Sequence, residues 1–243
     1  MTKETNPLIR KLGASIRLSG EERTVLTDLT RTRRRFASGK EIIHEGDTEH
    51  RAFVLLEGWV SSFKILRDGS RQIVDFQIAG DFIGMRSVLL RTVDHNVEPI
   101  TDIVAASIHL DEVMELFSSQ PRVAAAMMWA LSADEAIVVE RLVSVGRRHA
   151  LERVAHFLLE MRARLRLVGM GRQQSFPCPL TQYHLADALG LSAVHVNRVL
   201  RQLREDTGVT FRGGVVKFGN IDRAMETANC DMGYLDHGGL ILE

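Results

Sequence analysis

Cysteine is scarce in this chain. Only Cys178 and Cys230 occur among 243 residues, too far apart for a metal knuckle and too few for a disulfide framework, so both are read as reduced thiols. Long apolar runs are missing too. None approaches the roughly 18 residues of a membrane span, and the opening MTKETNPLIRKLG lacks the apolar stretch of a signal peptide. No membrane partner is expected, and the expected location is cytoplasmic. A net charge is also absent, since 31 Lys and Arg balance 31 Asp and Glu. Taken alone, that balance disfavours a nucleic-acid partner.

What is present changes that reading. With 45% hydrophobic and 26% charged residues, the chain suits one large or two medium globular domains. Its charge is unevenly spread: residues 146–221 hold 12 Arg and Lys against 5 Asp and Glu, leaving +7 there and −7 elsewhere. A basic segment inside a neutral chain is the pattern of a DNA-reading domain joined to a domain of another kind.

Residues 1–20 read as an irregular lead-in, after which Ser19 and Glu22 fit a capping box that opens a short helix. From Arg35 to about Leu110 short apolar runs such as AFVLLEGWVSSFKIL and RQIVDFQIAG are broken by Gly39, Gly46, Gly58, Gly69, Gly80 and Gly84. That rhythm predicts an all-β roll or barrel, with Asp68-Gly69 as a hairpin turn. Helical periodicity returns over residues 111–145, with Pro121 near the start of a long helix. Ala124, Leu131, Val138 and Val145 fall in one heptad row, and Met128, Glu135 and Leu142 form the row beside it. Two readings stand: a buried core helix, or a dimer seam through Ala124, Met128, Leu131, Val138, Leu142 and Val145. Glu135 must lie at the edge of either contact or find a partner, because a lone buried carboxylate is costly.

LTQYHLADALG and LSAVHVNRVLRQLR then form two short helices divided by Gly190, with Thr181 and Ser192 as N-caps. At 100° per residue, Val196, Val199, Leu200 and Leu203 share one face of the second helix, while Val194, Arg198 and Arg201 point away. A fork-shaped donor at Arg198, flanked by Asn197, His195 and Gln202, suits base edges in a major groove. A merely solvated basic face is the plainer alternative. VTFRGGVVKFG follows as a hairpin or wing. The resulting α+β layout is a lead-in (1–20), a β-roll (21–120), a long helix (121–146), a winged helix-turn-helix (147–225) and an acidic, flexible tail (226–243).

Over roughly residues 20–225 the sequence resembles the Crp/Fnr family, the cyclic-AMP-receptor and fumarate-nitrate-reduction type regulators. The resemblance rests on the spaced glycines with GDFIGM at 80–85, the helix at 121–145, and LTQYHLADALGLSAVHVNRVLRQL at 180–203. It implies a β-roll of the cyclic-nucleotide-binding type (a double-stranded β-helix), a long dimerisation helix and a C-terminal winged helix-turn-helix. It further implies a transcriptional regulator rather than an enzyme, with no catalytic or metal-binding residue. The partners implied are a second copy of the chain, a roughly palindromic promoter DNA and RNA polymerase. Carried over by position, Arg198 matches the family's recognition-helix arginine, which donates to a guanine. Asn197 and His195 match positions that approach bases or phosphates. Val194 stands where many relatives carry a base-reading glutamate, and its only contact with a base would be apolar, as with a thymine methyl. Thr181, Ser192 and Arg201 match phosphate contacts, which position the domain without specifying sequence.

The effector site departs from that resemblance. Where cyclic-AMP-binding relatives carry a ribose glutamate, a phosphate-binding Arg-Ser pair and hydroxyls on the long helix, this chain has Met85, His95 with Asn96, and Val138 with Val139. Cyclic AMP is therefore not expected, and without an N-terminal cysteine cluster neither is an iron-sulfur cluster; no cofactor is predicted. Three routes of control stay open: a different small ligand near Met85, Arg86, His95, Asn96, Val138 and Val139; constitutive competence set by abundance; or oxidation of Cys178. Two readings from other classes remain beside the regulator. One is a metal-dependent enzyme of the cupin type, for which His44, Glu45, His50 and His95 are candidate ligands without a His-x-His pair; haem binding by His44 or His95, which occurs within the regulator family, has no further motif to support it. The other is an interaction module that uses the helix-turn-helix for docking.

Overall fold

Alternating apolar residues build the first half of the chain. In the computed structural model, which describes residues 6–48, 51–85, 88, 92–229 and 231–235, seven strands lie between residues 33 and 108. They are β1 (Arg33–Phe36), β2 (Ala52–Glu57), β3 (Trp59–Ile65), β4 (Arg71–Ile78), β5 (Phe82–Ile83), β6 (Asn96–Pro99) and β7 (Ile103–Ile108). One sheet has the order β1-β7-β2-β5 and the other β4-β3-β6. β2 is buried on both faces, and its two sets of side chains serve different cores. Phe53 and Leu55 join Ile43, Val60, Ile83, Val97 and Ile103 between the sheets. Ala52, Val54 and Leu56 join Val104 and Ala106 against helices. The predicted turn is present, with the Leu66 N–H donating to the Ser70 carbonyl at 2.8 Å and Gly69 at φ 82°.

The lead-in is not irregular. Asn6 caps α1 (Pro7–Leu12), which sends Leu8 and Leu12 into the helix-facing core and the Lys11 ammonium onto buried Asp81 at 2.7 Å. The opening looks polar in sequence because its packing falls to three apolar side chains, Leu8, Ile9 and Leu12, and the hidden stem of one lysine. The Ser19 capping box is present at the start of α2 (Gly20–Leu29), with the Glu22 N–H donating to Ser19 Oγ and the Ser19 N–H to Glu22 Oε2.

Described residues fall into two compact units, residues 6–65 with 74–134 and residues 66–73 with 135–235. After α3 (Leu110–Ser119) runs α4 (Pro121–Arg147), a helix of 27 residues. Val123, Met127, Ala130, Ile137, Arg141 and Ser144 form its buried row. Of the predicted seam, Met128, Leu131, Val138, Leu142 and Val145 are exposed, Leu142 at 73%, and Glu135 is exposed beside them. Ala124 is the exception and corrects the predicted row: at 2% exposure it is already covered by its own chain.

The second unit continues with α5 (Ala150–Leu167), β8 (Ser175–Pro177), α6 (Gln182–Leu189), α7 (Ala193–Thr207), β9 (Thr210–Arg212), β10 (Val215–Lys217) and α8 (Ile221–Ala228). β8-β10-β9 form the wing sheet, turning through Gly213 and Gly214, both at positive φ. The flexible tail is a second correction. Residues 226–228 complete α8, which buries Ala224 and Ala228, and Gly233–Leu235 make a short 3-10 turn that is tied down by Tyr234. Residues 230 and 236–243 lie outside the described residues.

Candidate nucleic-acid interface

Two capped helices and a glycine turn create the interface. Thr181 accepts the His184 N–H at 3.2 Å and returns its own N–H to His184 Nδ1 at 3.0 Å, which closes a cap at the start of α6. Ser192 accepts the His195 N–H at 3.2 Å and starts α7. Between them Gly190 ends α6 at φ 64°, in the left-handed region that a side chain disfavours. α7 then buries Val196, Val199 and Leu203, with Leu200 half-buried beside them, and turns Val194, Asn197, Arg198, Arg201 and Gln202 to the outside. Val194 is 80% exposed, an unusual placement for valine and one that leaves its methyl groups free for an apolar contact.

The support under these helices is polar and largely buried. Arg153 of α5 donates to the carbonyls of Val145, Arg148 and Leu189, clasping the end of α4, the start of α5 and the helix-turn-helix turn with one guanidinium. Arg141 and Glu160 pair at 2.8 Å with side chains 7% and 2% exposed. Arg164 lies 3.5 Å from the same Glu160 oxygen, and the Tyr234 hydroxyl donates to the other at 3.2 Å while sitting 3.0 Å from His156 Nε2. Arg71 pairs with Asp187 of α6 at 3.0 Å.

The predicted contacts therefore divide. Arg198, Arg201 and Val194 face outward, His195 is half-buried, and Thr181 and Ser192 are exposed caps. Asn197 is engaged within the motif: its amide nitrogen donates to Gln182 Oε1 at 2.6 Å and to the Ala193 carbonyl, so it ties α7 to the start of α6. Tyr183, 71% exposed at the start of α6, and Arg212 and Lys217 on the wing extend the outer surface. No periodic signal marks Tyr183, because a tyrosine in an apolar-spaced helix reads as core.

Cys178 is the third correction. It is fully buried, and burial pushes its thiol up to about 12, so it is not a poised redox group. Nothing in its local sequence announces this; its backbone N–H donates to the Gly214 carbonyl of the wing at 2.8 Å. Five of the six effector-pocket residues are described. His95 Nδ1 lies 2.7 Å from Asp94 Oδ1, Asn96 accepts the Glu45 N–H at 2.8 Å, and Met85 packs on the helix-facing core. Val138 and Val139 are exposed on α4, and Arg86 lies outside the described residues. The cupin-type candidates are spread among separate partners: His44 with Glu41, Glu45 with Lys64, and His95 with Asp94, while His50 lies outside the described residues.

Known proteins resemble this arrangement. A cyclic nucleotide-binding domain model matches residues 33–120, and a Crp-like helix-turn-helix domain model matches residues 152–222. The nitrogen fixation regulation protein FixK of Bradyrhizobium diazoefficiens is 29% identical over 74% of this chain and 75% of its own length. The transcriptional activatory protein AadR of Rhodopseudomonas palustris is 27% identical over 71% of each. The solved structure of FixK2 from Bradyrhizobium japonicum aligns with TM-score 0.73 and 25% identity, covering 82% of this chain and 98% of that one. A β-roll of the cyclic-nucleotide-binding type followed by a Crp-like helix-turn-helix places this chain in the Crp/Fnr family of DNA-binding transcriptional regulators.

Proposed function

We propose that the chain works in the cytoplasm as a homodimer on two-fold promoter DNA, with α7 in the major groove of each half-site and RNA polymerase as its downstream partner. The observation that carries this is the outer face of α7, where Arg198 and Arg201 stand exposed above a helix whose inner face is fully spent on packing. The exposed heptad row of α4, from Met128 to Val145, supports the dimer, since an apolar row of that length is costly in water. Arg198 reads a guanine, and Val194 contacts a thymine methyl. Thr181, Ser192, Arg201 and Tyr183 hold phosphates, His195 lies beside the bases, and Asn197 orients the helix rather than reading DNA directly.

Control runs without cyclic AMP or an iron-sulfur cluster. Methionine at position 85 and valines at 138 and 139 offer no polar group to a ribose, a phosphate or a base edge. Abundance or a different small ligand sets the activity.

The test is Arg198→Ala in a binding series against an operator and its single-base variants. We expect a loss of about 1–3 kcal/mol and relaxed selection at one base pair per half-site. Unchanged selectivity refutes the reading of α7. In parallel, wild-type affinity should fall steeply with salt, as contacts to several phosphates require; a flat salt response favours docking of a protein instead.

A further inference from the structure

A cluster of cations on the roll is not used by any of these roles. β1 is an edge strand that carries Arg33, Arg34 and Arg35, with Arg31 before it and Lys40 after it. Among the described residues no carboxylate pairs with any of the five. Exposed cations on an edge strand guard against strand addition. That role needs only outward charge and does not require a cavity.

Here there is a cavity. Arg34, Arg51, Ser107 and His109 line a cleft of about 230 Å³ together with Phe53 and Ile108, and no carboxylate is among its described lining residues. Its walls sit on neighbouring strands: Arg34 on β1, Ser107 on β7, and Arg51 just before β2. Period two puts Arg34 on the same face as Phe36, whose ring meets Phe53 edge-on at 5.6 Å. A second cleft of about 370 Å³, with Arg35, Lys40 and His44, shares Arg51, and the one carboxylate among its described lining residues, Glu41, lies 2.8 Å from His44.

We infer that these two clefts form an anion site for the phosphate chain of a small polyphosphate, with Arg34 in one cleft and Arg35 and Lys40 in the other as its unpaired cations among the described residues. Guanidinium forks match phosphate oxygens geometrically. The smaller cleft falls below the roughly 300–1,000 Å³ of pockets that enclose drug-sized ligands, so it suits an anion more than a ring system.

The experiment uses full-length protein with sodium tripolyphosphate, sodium sulfate at equal ionic strength, and a nucleoside triphosphate, read by thermal shift and calorimetry. Tripolyphosphate should raise the melting temperature in a saturable way that sulfate does not reproduce. Arg34→Gln and Arg35→Gln should each weaken its apparent Kd at least about tenfold, while Arg33→Gln, which lines neither cleft, should leave it within about twofold, as expected for charge-assisted phosphate contacts. Tighter binding of the nucleoside triphosphate identifies a nucleotide as the source, and equal binding identifies the phosphate chain alone; both support the site. Equal weakening in all three variants, or an equal shift with sulfate, overturns it as diffuse charge. A salt-dependent loss of DNA affinity in Arg34→Gln with no tripolyphosphate response overturns it in favour of a DNA flank.

Discussion

Replacing Glu160 by Gln tests whether a buried charge holds the DNA-binding unit together. The carboxylate is 2% exposed, accepts from Arg141 at 2.8 Å and from Tyr234 at 3.2 Å, and lies 3.5 Å from Arg164. Glutamine keeps the volume and one acceptor but removes the negative charge that faces two guanidinium groups. Breaking a buried pair by removing one charge costs about 3–5 kcal/mol; with a hydrogen-bond acceptor retained, the lower end applies, about 3 kcal/mol. For a unit of this size that lowers the melting temperature by about 10–20 °C. The assay can assign the loss, because Trp59 and Trp129 both lie in the first unit. Circular dichroism should show an early loss of helix while tryptophan fluorescence melts at its wild-type temperature. Added salt should not reproduce the effect, since the pair is shielded from solvent ions. A loss under about 1 kcal/mol would mean that the pair contributes no more than a surface bridge, and the account of the support under α6 and α7 would fail.

Other outcomes follow from the same geometry. Val138→Asp places a charge in the exposed row of α4; sedimentation should find monomers and gel shifts no operator binding, whereas a dimeric variant refutes the seam. Desolvation holds the His156 imidazole below 6.5, aided by Arg148 and Arg141 and opposed by Glu160 and Glu140, with Tyr234 against its ring. Desolvation also lowers His184, aided by Arg71 and opposed by Asp187. Both rings therefore bind a proton less readily folded than unfolded, so their contribution is complete above about pH 6.5 and is lost as pH falls through that value. Melting of the second unit between about pH 8 and about pH 5 should show the loss and His156→Gln should reduce it; a pH-independent melt contradicts it. With its thiol pushed up to about 12, Cys178 should resist alkylation until urea is added, and peptide mass spectrometry checks this. Rapid labelling of the native protein would restore the oxidation route.

Much of the interface is legible in the sequence because it is local. A helix face repeats every three to four residues, so the inner valines and outer Arg198 of α7 sort themselves by spacing alone. Caps at Ser19, Thr181 and Ser192 act over three residues, and Asp68-Gly69 turns the chain within two. Asn197 escaped this reading because its partner is a glutamine on another helix. The buried Lys11–Asp81 pair escaped because two charged residues 70 positions apart carry no periodic signal.

Short-range chemistry thus wrote the strand rhythm of the roll, the two capped helices and the choice of valine at position 194. Contacts between distant segments decided the rest: that Ala124 is covered and Leu142 is not, that Cys178 is buried, and that Tyr234 ties the C-terminal segment to α5. Exposure and pKa depend on what arrives from elsewhere in the chain. A thiol or a carboxylate carries the same local signature whether it ends in water or in a core.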